Sequence, residues 1–265
     1  VSSAEQGPAI RIEAVRKAFG DHVVLDGISM DIPTGETTAI IGPSGTGKSV
    51  LLKLIVGLLH PDAGRVLCFG TDMGAATERE LYAVRRRFGM LFQDGALFDS
   101  MTVGENIGFP LVQHTRLPPA EIRARVEDKL ALVGLPGTWG RSISSLSGGQ
   151  RKRVGLARAI ITEPEVVLFD EPNSGLDPMT SDQIDELIVE MKRQLGVTFV
   201  VISHDIVGTV KVADHIAMLF DGHLVAWDRT ARFLRTDVPI VRQFLQRNLV
   251  LPTGPDEVAV LPSPG

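Results

Sequence analysis

The chain has 265 residues, 44% of them apolar and 22% charged, with a formal net charge of −5. That is enough apolar material for a sizeable core, in one large domain or a domain carrying an inserted subdomain. The acidic balance and the absence of a Lys/Arg block argue against a nucleic-acid binder, which normally shows a basic stripe. The single cysteine, Cys68, allows no internal disulfide and lies in an apolar run, so it reads as a core residue in a reduced compartment. A membrane span needs roughly 18 consecutive apolar residues. The best stretch, residues 50–59, is shorter and carries Lys53, and the first residues have no signal-peptide core. A cytosolic chain is expected, reaching any membrane through partners.

In chain order, short apolar runs alternate with helical patterns, which predicts an α/β fold with a largely parallel sheet. A β region is expected over 9–15 and 23–32, then a buried strand over 37–41 and a glycine-rich loop. A helix is expected over 49–59, ended near Pro61 and Gly64. Further strands are expected over 65–69, 88–92, 166–169, 198–202 and 217–220. Between Gln93 and Leu146 the texture changes. Ile122, Val126, Leu130 and Val133 recur at helical spacing, so a mainly helical insertion is expected there. A last helix is expected over 239–248. The Pro/Gly-rich residues 252–265 are expected to lack fixed structure unless a partner orders them.

Gly42-Pro43-Ser44-Gly45-Thr46-Gly47-Lys48-Ser49, running on into Val50, fits G-x-x-x-x-G-K-[ST] between an apolar strand and a helix. Its glycines let backbone N–H groups turn inward around phosphate oxygens, and the helix start adds aligned donors. Lys48 is placed to reach the β- and γ-phosphates, and Ser49 to offer a hydroxyl to Mg²⁺. Residues 166–169 form an apolar run that ends in Asp170 and Glu171. Asp170 suits Mg²⁺ coordination, and Glu171 suits polarising an attacking water as general base. The bland alternative is that both carboxylates cap the following turn. A second helix start, Ser147-Gly148-Gly149-Gln150, repeats the chemistry of the first loop about a hundred residues later. One triphosphate does not need two such loops from one chain. Two facing chains, each closing on the other's nucleotide, are therefore expected, giving a homodimer with two composite sites.

Taken in order, these motifs resemble the ABC ATPase family over about residues 9 to 250. The resemblance implies a P-loop (RecA-like) core with an antiparallel β region and an inserted helical subdomain. It implies an ABC ATPase domain over 8–236, with core segments 8–94 and 162–236 and the helical subdomain over 95–161. A C-terminal extension, 237–265, would reach the partner subunit. Residues 42–49 look like Walker A, 166–171 like Walker B, and Leu146–Gln150 like the family signature. By the same resemblance, Gln93 is the Q-loop glutamine that senses Mg²⁺ and contacts the transmembrane partner. The stretch from Ser174 to Asp177 is the D-loop, and His204 is the switch histidine at the γ-phosphate. Phe19 is the aromatic that stacks on adenine. Phe19 stands where tyrosine is commoner, and Asn173 where threonine is commoner.

Three segments, GPSGTGKSVLLK, LFQDGALFDSMTVGENIGFPL and DVPIVRQFL, look like the ATPases of Mla and Mce lipid-transport systems. Gln150 departs from the methionine that the Mla type often carries. The resemblance implies ATP and Mg²⁺ as ligands, an integral membrane permease, an MCE-domain lipid-binding protein, and a place at the cytoplasmic face of the inner membrane. Ala96, Leu97, Phe98 and Phe109 either offer a groove to a permease helix or belong to the subdomain core. Two rivals keep the same site chemistry: a non-transport assembly factor and an importer for a small polar solute. A chromosome-organising ATPase would need a coiled-coil insertion far longer than residues 93–146.

Overall fold

The computed structural model describes residues 7–93 and 95–249. The segment 252–265, expected to lack fixed structure, lies outside the described residues. Strands β1 (Ile10–Phe19) and β2 (His22–Ile32) form an antiparallel hairpin. Strand β3 (Thr37–Ile41) leads into helix α1 (Lys48–Ile55). Strands β4 (Ala63–Cys68) and β5 (Thr71–Asp72) complete a sheet in the order β2-β1-β4-β5. Helix α2 (Glu78–Arg85) and strand β6 (Phe88–Leu91) follow, then helices α3 (Val103–His114), α4 (Pro119–Leu132) and α5 (Gly148–Ile160). The chain returns through β7 (Val166–Asp170), α6 (Pro178–Leu195), β8 (Thr198–Ser203) and α7 (Ile206–Val212). It ends with β9 (His215–Phe220), β10 (His223–Arg229), α8 (Thr230–Phe233) and α9 (Pro239–Asn248).

The second sheet has the order β10-β9-β3-β8-β7-β6, with β3, β6, β7, β8 and β9 parallel and β10 antiparallel to β9. Its central strands are covered on both faces, which is why they are uncharged throughout rather than alternating apolar with charged residues. Alternate side chains still divide between two cores. Ala39, Ile41, Val167, Phe169 and Val201 pack with Ile107, Val126, Leu156, Ile188 and Val241 from the helices. Ile40, Leu168, Val200 and Ile202 pack instead with Ile10, Leu25, Val66 and Leu51. The parallel sheet thus serves as the shared wall between a helical layer and the antiparallel sheet.

Several boundaries differ from the sequence reading for local reasons. Strand β1 runs on to Phe19 because a bulge at Ala14 (φ 46) absorbs the break in alternation. Gly64 makes that bulge possible, since a Cβ there would meet the Ala14 and Glu13 carbonyls at 2.3 Å. Helix α1 stops at Ile55, short of residue 59. Gly57 at φ 68 closes a Schellman motif, with Gly57 N–H donating to Leu54 O and Leu58 N–H to Lys53 O. Helices α2, α6, α7 and α8 and strands β5 and β10 lie outside the elements expected from the sequence, and α3 falls within the expected helical insertion. Cys68 is buried, and burial pushes its thiol up to about 12, as a core role requires. In α9, Val241 and Leu245 bury into the chain's own core. No described helix is long and apolar enough to cross a membrane.

Candidate nucleotide site

Because β3, β6, β7 and β8 are parallel neighbours, the segments that follow them all leave from one edge of the sheet. The 42–49 loop follows β3, Gln93 follows β6, Asp170 ends β7 with Glu171 just after it, and His204 follows β8. This is the edge where open α/β sheets take ligands.

The 42–49 loop is held by close backbone approach. A Cβ on Gly42 would meet Leu219 O at 2.1 Å. Gly47, at φ 93, is the N-cap of α1 and supplies no side-chain cap, so the first N–H groups of that helix are left to a ligand. Lys48 is buried, and its Nζ donates to Gly42 O at 2.7 Å and Pro43 O at 2.9 Å. Burial lowers its pKa, opposed by the nearby charges of Glu171 and Asp170. Ser49 and Ser44 are exposed at the loop, and Thr46 Oγ1 donates to Pro43 O at 2.9 Å. Phe19, at the end of β1, is 48% exposed, so it is no core residue. Its hairpin flanks the loop: Val24 and Leu25 of β2 contact the Gly47 position.

Burial, and then Glu171, raise the pKa of Asp170, whose Oδ1 is buried without a hydrogen-bond partner. An orphaned carboxylate oxygen beside a phosphate loop fits a hard cation, the chemistry of Mg²⁺. Glu171 holds a left-handed backbone, φ 51, with its N–H donating to Ile202 O at 2.9 Å. Its Oε2 lies 2.7 Å from His204 Nδ1, and since a carboxylate only accepts, the imidazole proton belongs on Nδ1. Gln93 Nε2 donates to Ser174 Oγ at 3.2 Å, joining the segment after β6 to the 174–177 turn.

Ser147 caps α5 in a reciprocal box: its Oγ accepts from Gln150 N–H and its N–H donates to Gln150 Oε1, both at 3.2 Å. Gly148 and Gly149 pack against Leu176 and Thr180, and Thr180 Oγ1 donates to Asp177 at 2.6 Å. The 147–150 start therefore sits with the 174–177 turn. Among the described residues no hydrogen bond or ion pair joins it to the 42–49 loop of the same chain.

Three contacts were not marked in the sequence. Lys152 Nζ donates to the carbonyls of Gln93 and Glu171. Its signal was a lysine on the otherwise apolar stripe of α5, formed by Gly149, Gly155, Leu156 and Ala159. Asn173 Nδ2 donates to the buried Asp185 at 2.8 Å, and burial pushes Asp185 up to about 6. Arg158 donates to Gly95 O and Ala96 O, fastening the segment after Gln93. That segment borders a cavity of about 540 Å³ lined by Phe92, Ala96, Phe98 and Phe109. Leu97 departs from this set and packs against the helical core.

The ABC transporter family profile matches residues 25–174. The chain is 43% identical over 251 residues to the probable ribonucleotide transport ATP-binding protein mkl of Mycobacterium leprae, covering 95% of this chain and 72% of that one. It is 45% identical over 226 residues to the intermembrane phospholipid transport system ATP-binding protein MlaF of Escherichia coli (strain K12), covering 85% of this chain and 84% of that one. The fold matches a dimeric post-hydrolysis structure of the ATP-binding cassette MJ0796 bound to ADP and Pi, with TM-score 0.75 and 30% identity. That match covers 83% of this chain and 98% of the other. The chain belongs to the ABC transporter family, as one of its ATP-binding, ATP-hydrolysing subunits.

Proposed function

We propose that the chain works as a homodimer at the cytoplasmic face of a membrane, hydrolysing ATP to move phospholipid through a separate permease and an MCE-domain partner. The cargo rests on one observation, the similarity to MlaF across most of both chains. The similarity to mkl favours a second reading, a ribonucleotide or other small polar solute.

ATP lies against the 42–50 loop, with Phe19 on adenine and Lys48 on the terminal phosphates. Ser49, Gln93 and Asp170 would hold Mg²⁺, which would supply positive charge beside the phosphates. Glu171 orients and deprotonates the attacking water, and His204 holds the Glu171 carboxylate and faces the γ-phosphate. Ser147, Gly148, Gly149 and Gln150 of the opposite chain close on that phosphate, with Asp177 at the same interface. That no hydrogen bond or ion pair among the described residues joins the two helix starts of one chain supports this composite site. The cavity beside Gln93 takes a permease helix on its aromatic wall.

Expression with a neighbouring permease tests the cargo. Copurification of an integral membrane protein carrying phospholipid, seen by mass spectrometry, and ATPase stimulation by phospholipid are expected. Stimulation by ribonucleotide without lipid would favour the second reading. Absence of any membrane partner would favour an assembly role.

A further inference from the structure

The signature helix grips the catalytic segment of its own chain. Lys152 stands on the buried stripe of α5 and is only 6% exposed. Burying an ammonium is costly unless it is hydrogen-bonded. Its partners include the backbone carbonyl of Gln93 and, at 3.3 Å, that of Glu171. Glu171 needs such support, because a left-handed backbone at a non-glycine residue persists only where its surroundings hold it. Four contacts do so. The Glu171 N–H reaches Ile202 O, its carboxylate meets His204, and its carbonyl accepts from Ser174 N–H at 3.1 Å and from Lys152. The first two come from the parallel sheet side and the third from the 174–177 turn, whereas the contact from Lys152 comes from the helical layer.

We propose that Lys152 is a positioning residue that sets Glu171 and Gln93 from the signature helix, so that the placement of α5 governs the general base of the same chain. Ser147 caps that helix five residues earlier, about 7.5 Å along the axis. On the dimer reading above, on which this inference rests, Ser147 serves the opposite nucleotide. One short rigid helix then carries the signature of one composite site and the tie to Glu171 of the other. A lysine that merely stitched α5 to the sheet would not tie the lesion to one site.

The test uses Lys152→Met in the full chain. Turnover is expected to fall about 10- to 100-fold while ATP affinity stays within about twofold. Turnover within about twofold of the unaltered chain overturns the proposal. Should the Met variant not fold, Lys152→Gln, whose terminal nitrogen stands one bond closer to the backbone, takes its place with a fall of at least about threefold. Mixed dimers locate the effect. A chain carrying Glu171→Gln leaves one working site, built from the other chain's Glu171. Adding the Lys152 substitution to the chain with intact Glu171 is expected to cut single-turnover hydrolysis by the full factor. Adding it to the Glu171→Gln chain is expected to change little. The reverse pattern, or equal loss in both, means that Lys152 only shapes the signature helix and overturns the proposal. If the chains do not associate with ATP, the dimer reading fails, and the single-variant rates decide the role of Lys152.

Discussion

The helix starts at Lys48 and Gly148 carry similar residues, yet they are finished differently. Gly47 caps α1 with a left-handed backbone and no side chain, leaving the first N–H groups open. Ser147 and Gln150 cap α5 reciprocally, so its first donors are partly satisfied before any anion arrives. The first start has the form of a cradle for phosphate, with a buried Lys48 behind it. The second is a finished helix end, suited to closing on a phosphate already held elsewhere. That division of labour is what a site assembled from two chains requires.

The sharpest break in this comparison lies at neither start but at Glu171, the proposed general base. Glu171→Gln is expected to slow ATP turnover about 10²- to 10⁴-fold without loss of ATP binding, measured by steady-state phosphate release. Lys48→Ala attacks the cradle. ATP affinity is expected to fall about 10- to 100-fold, the worth of charge-assisted hydrogen bonds, and nucleotide titration reads it. Ser147→Ala attacks the closing end. It removes a cap worth about 0.5–2 kcal/mol, lowering Tm by a few degrees, and it slows turnover while ATP affinity of the isolated chain is kept. An effect of Ser147→Ala on ATP affinity as large as that of Lys48→Ala would erase the distinction between the two starts.

The smallest expected effect concerns the seam behind the 174–177 turn. Asp185 is buried beside Asn173, and its carboxyl is pushed from 3.8 up to about 6. The folded state therefore holds a proton that the unfolded chain releases, and stability falls as pH rises from about 4 to about 6. Asp185→Asn is expected to flatten that slope, read as Tm against pH. An unchanged slope would show that Asp185 ionises normally in the fold.

Much of the fold was legible because the sheet is buried on both faces. Runs built only of apolar and threonine residues at 37–41, 166–169 and 198–202 needed no partner to be recognised. The loop at 42–49 was legible because its chemistry is local. What was missed has identifiable causes. In α6 the exposed Met179 and Val189 blur the apolar period, although Asp177 caps the helix and Pro178 opens it. Strand β10 follows a tight turn at Asp221 and Gly222, both at positive φ, so an Asp-Gly pair is the only local mark of this hairpin's turn. The contacts of Lys152 and the Asn173–Asp185 pair join segments that only the fold brings together. Sequence spacing carries no trace of them beyond a charge on a buried face.

Association of the Glu171→Gln chain with ATP and Mg²⁺, followed by size and mass in solution with the membrane partner supplied, tests the central claim most directly. An ATP-dependent dimer that dissociates when Ser147 is also replaced is expected. A chain that binds ATP tightly yet remains single with its permease present would contradict a triphosphate clasped between two subunits.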